Sequence, residues 1–246
     1  MIPKVIHYCW FGRGEMPKLG MRCIKSWKKH LPDYEIKLWN EDNFDINRIP
    51  YTAEAFEAKK YAFVSDYARF WILYHYGGIY FDTDVEMIKP IDEILAKGPF
   101  FACEIDGGDL TSIACAPGLG LAAYPNMDIY NKMLDLYQNL HFLNKDKSYN
   151  LTTVVEYTTQ ILQNYGLQNV SGIQKVKDFW IYPTEYFCPL DYATKEMTIT
   201  EKTVCIHHFA GTWISKRQKL KNRIKNTLGD RNTQIVLKLK RYLKRI

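Results

Sequence analysis

Apolar and polar positions along the chain follow two periods, and their order predicts the elements. Lys4–Phe11 is a nearly continuous apolar run closed by the turn residues Gly12 and Gly14, which reads as a buried strand. From Lys18 to Leu31 the apolar residues Met21, Ile24, Trp27 and Leu31 recur at helical spacing, and Pro32 stops the segment. Tyr34–Trp39 alternates polar with apolar and reads as a second strand. A strand–helix–strand opening points to an α/β domain with a mostly parallel sheet. The next helix spans Tyr61–Tyr76 and ends at Gly77-Gly78, where the first glycine is placed to take a left-handed cap. Ile79–Phe81 then forms a short strand. Phe100–Glu104, Ile113–Ala116, Phe179–Tyr182 and Thr203–Phe209 are further strands, and Met127–Leu140 and Leu151–Tyr165 further helices. The last segment, Ser215–Ile246, reads as two amphipathic basic helices broken at Gly229, and no internal repeat is present.

Composition adds three constraints. At 246 residues and 47% hydrophobic, the chain is long and apolar enough for one large core, and its 15% aromatic content suits stacking on flat ligands. Six cysteines are scattered with no Cys-x-x-Cys pair, the pattern of reduced core thiols in a cytosolic protein. No signal-peptide core opens the sequence and no run of 18 uncharged apolar residues occurs, so neither export nor a membrane span is expected. The net charge of +6 conceals an asymmetry: from Ile214 onward there are 12 Lys/Arg against one acid, Asp230, so the preceding residues carry −5. An acidic body with a basic tail differs from a uniformly basic nucleic-acid binder, and no nucleic-acid partner is expected.

The chemistry concentrates at Asp82-Thr83-Asp84. Read as an extended segment, alternation aims the two carboxylates to one side, a hard-oxygen site for Mg²⁺ or Mn²⁺ that would hold a diphosphate. Asp66 and Arg69 sit three apart on one face of a helix that is otherwise strongly apolar. Glu104, Asp106 and Asp109 follow a core strand and are the acidic groups available near a bound sugar.

Three motifs in order resemble glycosyltransferase family 32. They are Ile2–Gly12, then Ser65-Asp66-Tyr67-Ala68-Arg69 with Gly77–Val85, and finally His207-His208-Phe-Ala-Gly-Thr-Trp213. The resemblance implies a GT-A-like nucleotide-binding α/β sandwich, and transfer with retention of anomeric configuration. It further implies that Trp10 stacks on the donor nucleobase and that Asp66 and Arg69 hydrogen-bond the donor sugar. Asp82, Thr83 and Asp84 would hold the metal and donor, while one of His207 and His208 completes the metal shell. Trp213 would close over the diphosphate. The family usually has Ser before that last Trp, where this chain has Thr212.

Two other classes compete. A haloacid-dehalogenase-type phosphohydrolase also uses Asp-x-Asp after an apolar strand, but Glu86 stands where its small residue belongs, and 81 residues precede the motif. A non-enzymatic module binding anionic surfaces would use the tail alone. The reading adopted is a GT-A-like catalytic domain over 1–213 with a basic amphipathic tail over 214–246. It would move a hexose from a UDP- or GDP-hexose to a surface or capsular glycan. The tail would rest on an anionic membrane presenting a lipid-linked acceptor, on the inner face of the plasma membrane.

Overall fold

The computed structural model describes residues 1–192 and 194–211. In chain order the first elements are β1 (Val5–Cys9), α1 (Lys18–His30), β2 (Glu35–Trp39), α2 (Pro50–Glu57), α3 (Tyr61–Tyr76), β3 (Gly78–Tyr80) and β4 (Val85–Met87). Next come α4 (Asp92–Lys97), β5 (Phe100–Ile105), β6 (Ala114–Cys115), β7 (Leu121–Ala123), α5 (Asp128–Gln138) and α6 (Val154–Asn164). The last are β8 (Gln174–Val176), β9 (Phe179–Tyr182), α7 (Thr184–Phe187) and β10 (Cys205–His207). The two tail helices expected over 214–246 lie outside the described residues, as do Thr212 and Trp213.

The main sheet has the order β2-β1-β3-β7-β5-β9-β8, with β6 paired to β5. Strands β2, β1, β3, β5 and β9 run one way, while β7 and β8 run against them. The mostly parallel α/β sheet expected from the opening is therefore present, with β7 inserted between two parallel groups. Alternation along the strands fills two cores. Tyr80 and Leu121 face the layer containing α3, α5 and α6, whereas Ile79, Phe81 and Ala122 face the layer of α1, α4 and α7. Helices on both faces explain why these strands read as continuous apolar runs.

Several boundaries differ from expectation for local reasons. α6 begins at Val154 because Thr153 and Glu156 form a reciprocal capping box that satisfies two backbone donors. α2, announced by Pro50 at its first turn, was not anticipated from the pattern. Gly77 takes φ +63 and ψ −155, which is not the left-handed helical cap but a region open to glycine, because the chain turns directly into β3. All six cysteines are free and buried, as the scattered spacing suggested. Buried His7 ties the sheet to that turn: Trp39 Nε1 donates to its Nδ1 at 3.0 Å, and its Nε2 faces Gly77 O at 3.1 Å.

The largest difference concerns the acidic triplet. β3 ends at Tyr80 and β4 starts at Val85, so Asp82-Thr83-Asp84 occupies a turn and is not extended. Val85 N donates to Asp82 O at 3.1 Å to close it. After the turn the chain leaves the main sheet, and β4 pairs antiparallel with β10 as a separate ribbon. That exit, which requires a partner more than a hundred residues away, sends the two aspartates to different neighbours.

Candidate active site

Parallel strands β1, β3 and β5 bring their carboxyl ends to one edge, the place where ligands bind in open α/β sheets. Trp10 follows β1, the acidic turn follows β3, and Glu104 lies near the end of β5. Helix α3 packs behind this edge and contributes Asp66 and Arg69.

Arg69 is the hub. Its side chain is 4% exposed and sits between two carboxylates, 2.9 Å from Asp66 Oδ1 and 3.3 Å from Asp82 Oδ1. Arg69 Nε donates to Ser65 O at 3.1 Å, and the guanidinium carbon lies 5.0 Å from the centre of the Tyr80 ring. Tyr80 also donates its hydroxyl to Asp82 Oδ1 at 3.1 Å. Burial would weaken the Arg69 charge, but Asp82, Tyr80 and Asp66 hold the guanidinium protonated. Burial pushes Asp66 up to about 7; Arg69 pulls it down and Asp82 adds to the rise. One cation shared by two carboxylates leaves Asp66 poised to carry a proton near neutrality. This is not the surface ion pair that i, i+3 spacing on an exposed helix would give.

Asp84 turns to the terminal motif. Its Oδ1 lies 3.2 Å from His207 Nε2, and its Oδ2 accepts from Ala210 N at 2.8 Å. Burial opposes the Asp84 charge, yet His207 and Ala210 N–H keep its carboxyl below the usual range. Burial likewise opposes the His207 charge, but Asp84, helped by Asp82 and Glu104, lifts the imidazole above its ordinary value. His208 faces elsewhere: its Nε2 lies 2.7 Å from Glu86 Oε2, which Arg22 also reaches at 3.2 Å. Of the two histidines offered by the sequence, His207 is the one beside Asp84.

Asp84 and His207 would be this chain's share of a divalent-ion site completed by substrate. No cluster of three or more His, Cys, Asp or Glu side chains able to hold a metal occurs among the described residues. Asp84 and His207 nevertheless present an oxygen and a nitrogen 3.2 Å apart, and His207 Nδ1 is buried with no hydrogen-bond partner among the described residues. Small divalent ions are commonly held by one or two protein ligands and completed by substrate phosphates and water. Asp82, engaged by Arg69 and Tyr80, would join through its other oxygen.

The remaining candidates divide. Trp10 is half-buried and donates Nε1 to Gly14 O at 2.7 Å, and Thr83 is half-buried in the turn. Glu104 is half-buried; burial raises its carboxyl and His207 lowers it, which places it in electrostatic reach of the site. Asp106 points both oxygens at Thr184, accepting from its N at 2.9 Å and Oγ1 at 2.8 Å, so it fastens β5 to α7. Asp109 is exposed. Tyr80 was missed at the sequence level, although i, i+2 spacing on a strand puts it on the face of Asp82. Arg22 and Glu86 had no such signal.

Residues 17–101 match the family model described as a glycosyltransferase sugar-binding region containing a DXD motif. The chain is 32% identical over 115 residues to inositol phosphoceramide mannosyltransferase 1 of Schizosaccharomyces pombe, covering 40% of this chain and 33% of that protein. It is 31% identical over 104 residues to mannosyl phosphorylinositol ceramide synthase SUR1 of Saccharomyces cerevisiae, covering 41% and 27%. The chain thus matches about a third or less of the length of these curated relatives. Among solved structures, PaToxG glycosyltransferase aligns with a TM-score of 0.50 at 22% identity over 66% of this chain and 69% of that one, a likeness of fold. Over residues 17–101 the chain thus resembles the DXD-containing sugar-binding region of glycosyltransferases, and its fold is GT-A-like.

Proposed function

We propose that the protein is a retaining, divalent-metal-dependent glycosyltransferase that moves a hexose from a UDP- or GDP-hexose onto a glycan acceptor. The observation that carries this reading is the buried Arg69 guanidinium shared by Asp66 and Asp82, beside an Asp84–His207 pair on the same sheet edge. In this reading Trp10 stacks on the nucleobase, while Asp66 and Arg69 hydrogen-bond the sugar hydroxyls. Asp82, Asp84 and His207 would hold Mn²⁺ or Mg²⁺. When bound, the ion supplies positive charge against the departing diphosphate. Arg69 holds Asp82 in one orientation, so little reorganisation is needed when charge develops.

The acceptor is proposed to be a surface or capsular glycan carried on a lipid. The relatives are named for a phosphoinositol-ceramide substrate and for mannose, which favours mannose as the hexose. The 12 Lys/Arg from Ile214 onward suit an anionic membrane, and the reduced thiols suit the cytoplasmic side.

A thermal-shift panel of nucleotide sugars, with and without Mn²⁺, tests the function. A true donor at about 100 times its Kd should add about 2.7 kcal/mol of stability, roughly 5–10 °C in Tm for a domain of this size. Asp84→Asn should remove the Mn²⁺-dependent part of that shift. Trp10→Ala should weaken nucleotide binding by the ~1–3 kcal/mol that a stacked base is worth. No shift with any nucleotide sugar in Mn²⁺, or an identical shift in excess chelator, would defeat the proposal.

A further inference from the structure

The turn after β6 lies against the acidic turn. Leu119 N donates to Ala116 O at 3.2 Å, so Ala116-Pro117-Gly118-Leu119 is a β-turn with proline at its second position. Gly118 O accepts from Asp82 N at 3.0 Å, which joins this turn to the start of the Asp82–Asp84 segment. Gly118 itself is not in the left-handed region, so its backbone conformation would accept an ordinary residue. The absence of a side chain there has another cause. A Cβ on Gly118 would fall well inside contact distance of Asp82 Oδ2, 2.9 Å from Asp82 Cγ and 3.4 Å from Arg69 Nη1.

We propose that Gly118 is a positioning residue of the site, setting the orientation of the Asp82 carboxylate by leaving the space that carboxylate fills. The link to catalysis rests on the glycosyltransferase reading; the steric link does not. Asp82 cannot simply swing aside, because its Oδ1 is held by Arg69 at 3.3 Å and by the Tyr80 hydroxyl at 3.1 Å. Any β-carbon at 118 therefore breaks those contacts or pushes the turn away. Gly118 lies beyond the stretch that matches the family model, which ends at residue 101.

A double-mutant cycle tests this on the full chain. Gly118→Ala should lower Tm by about 5 °C in the wild-type background and by less than about 1 °C in an Asp82→Ala background, where the obstructed oxygens are gone. Asp82→Asn keeps the same shape, so the full loss should persist there. Asp82→Ser serves if Asp82→Ala does not fold. Donor hydrolysis by Gly118→Ala should fall at least tenfold, with no further fall when the substitution is added to Asp82→Ala. Equal Tm losses in both backgrounds, or no loss in either, overturn the proposal. If the wild-type chain turns over no nucleotide sugar, the enzymatic reading fails, while the Tm cycle still decides whether Gly118 acts through Asp82.

Discussion

Arg69→Lys keeps the charge and removes the geometry, so it isolates what the guanidinium contributes. Arg69 serves two carboxylates, one backbone carbonyl and one aromatic face from a side chain that is 4% exposed. An ammonium is a compact point charge and cannot reach Asp66, Asp82 and Ser65 O together. The variant keeps one carboxylate contact, loses the other and loses the Nε bond. Both lost bonds come from the charged guanidinium, and a hydrogen bond to a charged group contributes about 1.5–3 kcal/mol, so a loss of at least roughly 3 kcal/mol follows. For a domain of this size that is about 6–12 °C in Tm, measured by calorimetry or circular dichroism. Releasing Asp82 also misplaces the carboxylate proposed to bind the donor, and displacements on the order of 1 Å can cost about 100-fold in turnover. The exposed pair Arg13–Asp42 supplies the contrast: its side chains are 64% and 62% exposed, so Arg13→Lys should leave Tm unchanged within measurement error. If Arg69→Lys matches wild type in both Tm and donor hydrolysis, the guanidinium is not the hub argued for it.

Two further outcomes follow from charge. Asp66 is raised to about 7 by burial, against about 3.9 unfolded, so its protonated form stabilises the fold below pH ~4 and that contribution is lost as pH rises through ~7. Asp66→Asn should therefore gain on wild type by a few kcal/mol between pH ~4 and ~7, read from denaturant unfolding at each pH; parallel curves would remove the buried-acid argument. The basic tail should sediment the protein with anionic vesicles at low salt, each Lys or Arg near the surface adding about 1 kcal/mol. Equal sedimentation of the full chain and a chain ending at Ser215 would refute its membrane role.

How far the sequence alone reached depends on how local the causes were. Helix α3 was legible to its ends because a mainly apolar run of sixteen residues closes on Gly77-Gly78. The two charged residues inside it stood out as buried and paired for the same reason: an apolar helix offers no solvent face for Asp66 and Arg69. Strand β9 was equally clear, being four apolar residues flanked by turn chemistry. The three-residue strands β4 and β7 were not, since Val-Glu-Met and Leu-Ala-Ala become strands only when β10, β3 and β5 supply ladders.

The site shows the same division in sharper form. Residue types announced the acidic pair, but the assumption of an extended segment predicted two carboxylates on one side. The structure instead gives Asp82 to Arg69 and Tyr80, and Asp84 to His207. That separation comes from the turn between β3 and β4, whose cause is the pairing of β4 with a ribbon partner near the end of the described chain. The same pairing decides between the two histidines. On β10, His207 pairs with Val85 and reaches Asp84, whereas His208 N donates to Asp84 O and its ring goes to Glu86. Gly118 is the extreme case, a residue with no chemistry of its own whose role is defined by an oxygen 36 positions earlier in the chain. Sequence periodicity reports which side a residue faces; only the closed fold reports what lies opposite. In this protein the second kind of information assigns each acidic group its partner, and so its chemistry.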